Sequence, residues 1–154
     1  MENIKITDMS EINIRQADRN DASALQELNN VCLGYDYPLD RTRERLAELL
    51  ANPGCRIFVA VQDGNVVGYV QANTYKATYG DPAVNVMGLA VSQAARGKGA
   101  GRKLMEAVET WAQSINAEEV RLNSAEFRKD AHKFYQAIGY TLDKMQARFG
   151  KRLR

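Results

Sequence analysis

Ser92-Gln93-Ala94-Ala95-Arg96-Gly97-Lys98-Gly99-Ala100-Gly101-Arg102-Lys103-Leu104 follows a mostly apolar run, Val84 to Val91, that reads as a strand. The same stretch opens an amphipathic helix. Glycines at alternate positions let the backbone turn tightly and expose successive N–H groups. Those groups, the positive end of the helix, and the side chains of Arg96, Lys98, Arg102 and Lys103 together suit a pyrophosphate. An anion site is the first reading.

Two nucleotide readings fit poorly. A Walker-type loop needs Gly-Lys-Ser/Thr at its end, whereas Gly101 precedes Arg102-Lys103 and offers no hydroxyl for magnesium. A dinucleotide fold wants the glycine turn within repeated βαβ units and an acid closing the next strand. Here that strand, Glu119 to Leu122, ends in Asn123-Ser124, and hairpins precede the glycine turn. The form Gln-x-x-Arg-Gly-x-Gly-x-Gly, after a strand ending Leu89-Ala90-Val91, resembles the acyl-coenzyme-A-binding motif of the GNAT superfamily of N-acetyltransferases. Downstream, Ala131-His132-Lys133-Phe134-Tyr135-Gln136-Ala137-Ile138-Gly139-Tyr140 is similar to the family's Ala-x-x-Phe-Tyr-x-x-x-Gly-Phe/Tyr signature. The closing Arg148 to Leu153 also resembles an ending common in small bacterial members. The resemblance runs from about Ile12 to the C-terminus, with its specific motifs in the second half.

The resemblance implies a site. Leu89, Ala90 and Val91 would lie on a strand that splays from its neighbour and offers main-chain groups to the pantetheine arm. A backbone N–H near Leu89 would polarise the acetyl carbonyl. N–H groups from Arg96 through Gly97, Lys98, Gly99 and Ala100 to Gly101 would hold the pyrophosphate, with Arg96 and Arg102 as charge partners. Tyr135 matches the family's general acid, and a phenol of pKa ~10 can protonate a thiolate of pKa ~8.5. Many members carry an asparagine where this chain has Arg128. Arg128 is therefore a candidate for a phosphate or carboxylate, and Asn123 for the missing amide contact. Some members also carry a glutamate on the strand occupied here by Asn85-Val86-Met87-Gly88. The base is then water or a residue elsewhere, with Asp36, Asp81 and Glu126 as loop candidates.

Composition sets the bounds. A chain of 154 residues, 45% hydrophobic, is read as one globular domain over 1–154, with 1–10 a lead or an extra edge strand. The formal net charge of +2 does not point to nucleic acid. No apolar run reaches membrane length, and the polar start lacks a signal-peptide core, so a cytoplasmic protein is expected. Cys32 and Cys55 make no metal spacing. Cys32 reads as core and Cys55 as incidental. His132, the single histidine, either tunes Tyr135 one turn away or sits on the helix surface.

Along the chain, Ile12 to Ala17 alternates and reads as a strand. Asn20 or Asp21 can cap a helix to Leu33 with Leu25, Leu28, Val31 and Cys32 on one face. A second helix begins after Asp40, carries Leu46, Leu49 and Leu50, and stops before Pro53-Gly54. Arg56 to Val61 and Val66 to Tyr75 flank Asp63-Gly64, which supplies the positive φ of a hairpin turn. Ala83 to Val91 is a third antiparallel strand. A helix from about Gly99 to Ser114 turns Leu104, Met105, Val108, Trp111 and Ala112 to one side. A short strand, Glu119 to Asn123, comes next, then a helix from Arg128 to Ile138 ended by Gly139. Tyr140 to Met145 and Ala147 to Leu153 read as closing strands. The fold class is α/β (α+β), in the order β-α-α-β-β-β-α-β-α-β-β. The resemblance implies a mixed, mostly antiparallel central sheet flanked by about four helices.

The expected function is transfer of the acetyl group of acetyl-coenzyme A to an amine by direct attack, with no metal. A small-molecule amine is the first choice of acceptor, and a protein or peptide amine the alternative. The tyrosines Tyr35, Tyr37, Tyr75 and Tyr79 would border an acceptor groove or simply pack. From another class, a non-catalytic acyl-coenzyme-A sensor would keep the site without turnover. Terminal strands or exposed edges are the surfaces on which a homodimer would form. No partner membrane or nucleic acid is expected.

Overall fold

The computed structural model describes residues 11–154. The segment 1–10, expected from the sequence to be a lead or edge strand, lies outside the described residues. The chain divides into two compact units, one ending at Leu122 and one running from Asn123 to Arg154.

In the first unit the elements run β1 (Asn13–Gln16), α1 (Ala22–Leu33), α2 (Leu39–Ala51), β2 (Cys55–Gln62), β3 (Asn65–Tyr75), β4 (Ala83–Val91), α3 (Ala100–Ser114) and β5 (Val120–Leu122). The strands make one sheet in the order β1-β2-β3-β4-β5. The first three pairings are antiparallel and β4–β5 is parallel. A parallel pair needs a crossover rather than a tight turn, and α3 supplies it. Asp63 and Gly64 take φ of 51° and 78° at the β2–β3 turn, as Asp-Gly implied.

The two faces of this sheet bury different stripes. Ile57, Val59, Tyr69 and Ala90 pack with Leu25, Leu28 and Leu46 from α1 and α2. On α3, Leu104, Met105 and Val108 are fully buried, and Trp111 and Ala112 nearly so. This is the helix face read from the 3.6-residue period. Leu104 lies beneath Gly68, where a Cβ would come within 3.4 Å of its Cδ1 and 3.0 Å of the Ala90 carbonyl oxygen. Gly68 therefore marks a close approach of strand and helix.

Several local expectations change. Asp21 makes no side-chain cap on α1, because its carboxylate is taken by Arg15 at 2.8 and 2.9 Å and by the Asp18 N–H at 2.8 Å. Asp18 does the capping one turn earlier, accepting from the Asn20 N–H. Arg15 and the Asp18 N–H hold the Asp21 carboxyl below its usual range against the opposing effect of burial. Val31 is 75% exposed, since its position falls outside the arc shared by Leu25, Leu28 and Cys32. Cys55 is no incidental residue but part of the core beneath α1 and α2.

Tyr69 is the buried polar group on that face. Its hydroxyl donates to Asn29 Oδ1 on α1, and burial pushes its pKa up to about 12.

The second unit contains α4 (Lys129–Ala137). Gly139, at φ 102°, ends it as expected: the Tyr140 N–H donates to the Tyr135 carbonyl at 2.9 Å and the Gly139 N–H to Gln136 at 3.2 Å. These are the paired bonds of a Schellman cap. Residues 141–154 carry no helix or strand, and all are exposed. The two closing strands expected there are not formed. Lys144 and Lys151 fall on the phase of Tyr140 and Leu142 and of Ala147, Phe149 and Leu153, which leaves each half only a short apolar face to bury.

The Tyr69 phenol has a pH signature. An unfolded tyrosine loses its proton near pH ~10, whereas Tyr69 keeps it to about 12. Its contribution is fully present below the unfolded value and is lost as pH rises through the folded one. Urea melts between pH ~9 and ~12 should show this loss, worth about 2–3 kcal/mol. Tyr69→Phe should remove that component of the pH dependence.

Candidate functional site

β4 changes character along its length. β5 pairs with it at Val84↔Val120, Asn85↔Arg121 and Val86↔Leu122. Beyond Val86, β4 runs on to Val91 without a strand on that side, among the described residues. At the same place the β3–β4 register slips. Gln71 is opposite Gly88 and Ala72 opposite Val86, so Met87 is one residue in excess. Such a bulge bends the strand and re-aims the residues beyond it.

The direction of the main chain after the bulge can be read from the ladder. The Ser92 N–H donates to the Val67 carbonyl at 2.7 Å. Two residues back, Ala90 faces Tyr69, while Leu89 faces Val70 and Val91 faces Gly68. Alternation then makes Tyr69–Ala90 a hydrogen-bonded pair and turns the N–H and C=O of Leu89 and Val91 away from β3. Leu89 and Val91 thus present backbone to the open edge of β4, with Ala90 paired to Tyr69 between them. The Val91 carbonyl is already engaged there, accepting from Arg96 Nε at 3.1 Å and Cys32 Sγ at 3.5 Å.

The glycine turn comes directly after the strand. A short 3-10 turn over Gln93–Ala95 leads to Arg96 in an extended conformation. Gly97 and Gly99 take φ of 77° and 85°, values that L side chains rarely adopt. Gly99 is the residue before α3, and no side chain caps the helix start. The N–H groups of Ala100, Gly101 and Arg102 therefore have no acceptor in the first turn, while the Lys103 N–H closes it on Gly99 at 3.0 Å. A Cβ at Gly97 or Gly99 would meet nothing within 4 Å, so the turn faces open space. A helix of 15 residues with uncapped N–H groups favours a polyanion at this end.

The nearby cations divide their tasks. Lys103 Nζ is spent on the Ile12 carbonyl at 2.9 Å. Arg96 Nε is spent on Val91. Lys98 and Arg102 are exposed.

In the second unit, Asn123 is exposed at its start and Arg128 stands at the head of α4. Tyr135 is half-buried. Its ring meets Phe134 and Tyr140 edge-on, at 5.2 and 6.0 Å between centroids. Burial raises the Tyr135 pKa and the Arg128 charge opposes the rise. His132 Nε2 donates to the Ala125 carbonyl at 3.0 Å and fastens the preceding loop to α4.

Arg121, on β5, is a feature that the sequence patterns did not single out. It places its guanidinium carbon 4.5 Å from the centre of the Tyr75 ring and donates to Asn85 Oδ1 at 2.8 Å. An arginine in an apolar strand, Val120-Arg121-Leu122, is the signal that was available.

A sheet whose fourth strand loses its neighbour just before a glycine turn and an uncapped helix defines an anion-accepting α/β protein of the acyltransferase type. Residues 22–140 match the model of the acetyltransferase (GNAT) family, and the chain belongs to that family. It is 30% identical over 132 residues to the aminoglycoside N(6')-acetyltransferase type 1 of Stenotrophomonas maltophilia, covering 82% of this chain and 84% of that protein. It is also 35% identical over 88 residues to N-acetylaspartate synthetase of Rattus norvegicus, a match covering 57% of this chain and 28% of that longer protein. The solved structure of an aminoglycoside N-acetyltransferase in complex with CoA superposes with a TM-score of 0.83 at 22% identity, over 93% of this chain and 96% of that one. That likeness is one of fold.

Gly99→Ala forces a β-carbon into the left-handed region at the helix start, at a strain of roughly 1–2 kcal/mol. It should weaken acetyl-coenzyme A binding at least several-fold in titration calorimetry. Gly34→Ala carries the same kind of strain, at φ 74° after α1, and should leave the affinity unchanged.

Proposed function

We propose that this protein is an N-acetyltransferase that moves the acetyl group of acetyl-coenzyme A to the amine of a small molecule, both bound together. The observation that carries the reading is the outward-turned backbone of Leu89 and Val91, next to the uncapped start of α3. The α3 N–H groups, with Lys98 and Arg102, hold the pyrophosphate. The edge of β4 takes the pantetheine amides by strand-like pairing. The Leu89 N–H donates to the thioester oxygen, which gains charge as the amine attacks. One such donor is worth roughly 3–4 kcal/mol, and holding two reactants in line can supply about 7–11 kcal/mol. No covalent intermediate is needed.

The chemistry balances simply. The amine nitrogen bonds to the carbonyl carbon, the carbon–sulfur bond breaks, and the thiolate takes a proton. Tyr135 is the proposed donor, because its raised pKa keeps the phenol protonated throughout the neutral range. The β4 stretch Asn85-Val86-Met87-Gly88 holds no carboxylate, so the amine loses its proton to water or to one of the loop carboxylates Asp36, Asp81 and Glu126. Asn123 and Arg128 are the proposed polar contacts of the second unit. We treat the two units as one acetyltransferase domain, since the family match runs across Leu122–Asn123. The acceptor reading is supported by the names of its relatives, which act on aminoglycosides or make N-acetylaspartate. The described residues hold no helix long and apolar enough to cross a membrane. Cys32 and Cys55 are free thiols, as suits a reducing cytoplasm.

Free-thiol release from acetyl-coenzyme A against a panel of amines and peptides tests this directly. Tyr135→Phe should lower kcat by about 10²-fold or more while leaving acetyl-coenzyme A affinity within twofold. In the parent, the alkaline fall in kcat should lie above the ordinary tyrosine pKa of ~10 and should be absent in the variant. Tight cofactor binding with silence across the panel would instead support the sensor.

A further inference from the structure

The last turn of α1 rests on the stretch of β4 that carries the proposed chemistry. Asn29, Cys32 and Leu33 stand at the spacing that places them on one helix face. Asn29 Oδ1 accepts from the Tyr69 hydroxyl, and the Cys32 thiol donates to the Val91 carbonyl at 3.5 Å. A Cβ built on Gly88 would lie 3.3 Å from the Tyr69 hydroxyl and 3.9 Å from Leu33 Cδ1. This turn of α1 therefore bears on β4 at Gly88 and at Val91, on either side of Leu89 and Ala90.

The peptide that joins Gly88 to Leu89 carries the Leu89 N–H, the proposed donor to the thioester oxygen. It follows directly on the Met87 bulge, where the ladder slips, and Gly88 has no side chain to pack that peptide in place. The room a side chain would fill is bounded by the Tyr69 hydroxyl and the Leu33 methyl. Tyr69 is 7% exposed, and a hydroxyl so buried is costly unless it is hydrogen-bonded. A phenylalanine would pack the same ring with no polar atom to satisfy. The hydroxyl adds two things that a phenylalanine lacks. Its bond to Asn29 fixes the ring between α1 and the sheet, and its oxygen fills the space under Gly88. The phenol keeps its proton up to about 12, so the bond to Asn29 persists throughout the neutral range.

We infer that Tyr69 is a positioning residue, whose hydroxyl, held by Asn29 and set under Gly88, keeps the Gly88–Leu89 peptide turned so that the Leu89 N–H meets the thioester oxygen. The inference rests on the acetyltransferase reading for what that N–H meets. A misplacement of about 1 Å at a reacting centre can cost 10²-fold in rate. The pyrophosphate contacts proposed at the start of α3 lie on other residues. Loss of the hydroxyl should therefore fall on kcat and leave cofactor affinity alone.

Tyr69→Phe keeps the ring and removes the oxygen. In the free protein, residual dipolar couplings should show the Leu89 N–H turned from its parent direction, with the Val84 N–H, before the bulge, unmoved. With carbonyl-labelled acetyl-coenzyme A bound and no acceptor present, the thioester carbonyl stretch should move to higher frequency than in the parent, as a weaker hydrogen bond requires. The variant should lose about tenfold or more in kcat, with acetyl-coenzyme A affinity within twofold. Gly88→Ala presses a carbon against the hydroxyl and should also lower kcat. Joined to Tyr69→Phe, that carbon takes the vacated room, so the double variant should exceed the product of the two single effects by roughly threefold or more. An unmoved Leu89 N–H, an unchanged carbonyl stretch, kcat and affinity that fall together, or single effects that simply multiply would each overturn the inference. A Leu89 N–H that turns in Tyr69→Phe, in a protein whose parent releases no thiol with any acceptor, would uphold the positioning of the peptide and remove the acetyltransferase reading.

Discussion

At Met87 the β3–β4 ladder gains one residue, and that insertion sets the aim of every main-chain group beyond it. Before the bulge, Val84 turns its N–H to the β5 side, donating to Glu119 at 3.0 Å. After it, Leu89 and Val91 turn to that side where β5 has stopped. Unpaired backbone at a sheet edge is ordinarily a liability that proteins cover or shorten. Here the uncovered length is a few residues and ends in a helix. An edge that offers donors and acceptors at strand spacing suits an amide-bearing ligand arm, which can pair with it as a further strand would.

The glycine turn depends on that strand and on what lies beneath α3. Leu104, Met105 and Val108 are wholly buried, so the helix axis is set by the core and its first turn is held where β4 ends. Burial of each such side chain is worth roughly 1.5–3 kcal/mol. Gly97 and Gly99 adopt their left-handed conformations without the steric cost another residue would carry. Two cations of the cluster serve this scaffold. Lys103 ties the helix to the carbonyl of Ile12, and Arg96 ties the turn to the carbonyl of Val91. Their charge still contributes to the local potential, while Lys103 Nζ and Arg96 Nε bond to main chain.

The α1 face shows how one sheet carries both an apolar core and a polar, solvent-facing stretch. Under α1 and α2 it is apolar, with Tyr69 as the single large polar side chain among the core residues and its hydroxyl satisfied by Asn29. A few residues along the same strands, past the cover of α1, Gln71, Asn73 and Asn85 replace the aliphatics. The change from apolar to polar occurs within single strands. The Asn85 amide links the polar stretch to both Arg121 and Met87.

Local signals were legible wherever one short stretch carries its own physical cause. The Asp63-Gly64 turn, the buried stripe of α3, the positive-φ glycines before it and the Gly139 cap all depend on neighbours within a few residues. The candidate cofactor edge was legible through the motif alone, not from any periodicity. Other features needed the assembled chain. The burial of Cys55 and the diversion of Asp21 from capping to Arg15 depend on which segments meet. So do the Met87 bulge, which exists only as a register between two strands, and Arg121, whose charge gains meaning from Tyr75 and Asn85 across the sheet. Sequence by itself determined the turns, the helix faces and the family of the chain, because those rest on local backbone preference, periodic burial and short motifs. Tertiary structure alone decided which backbone groups stand open and which cation meets Tyr75 and Asn85, because strand pairing and packing join residues far apart in the chain.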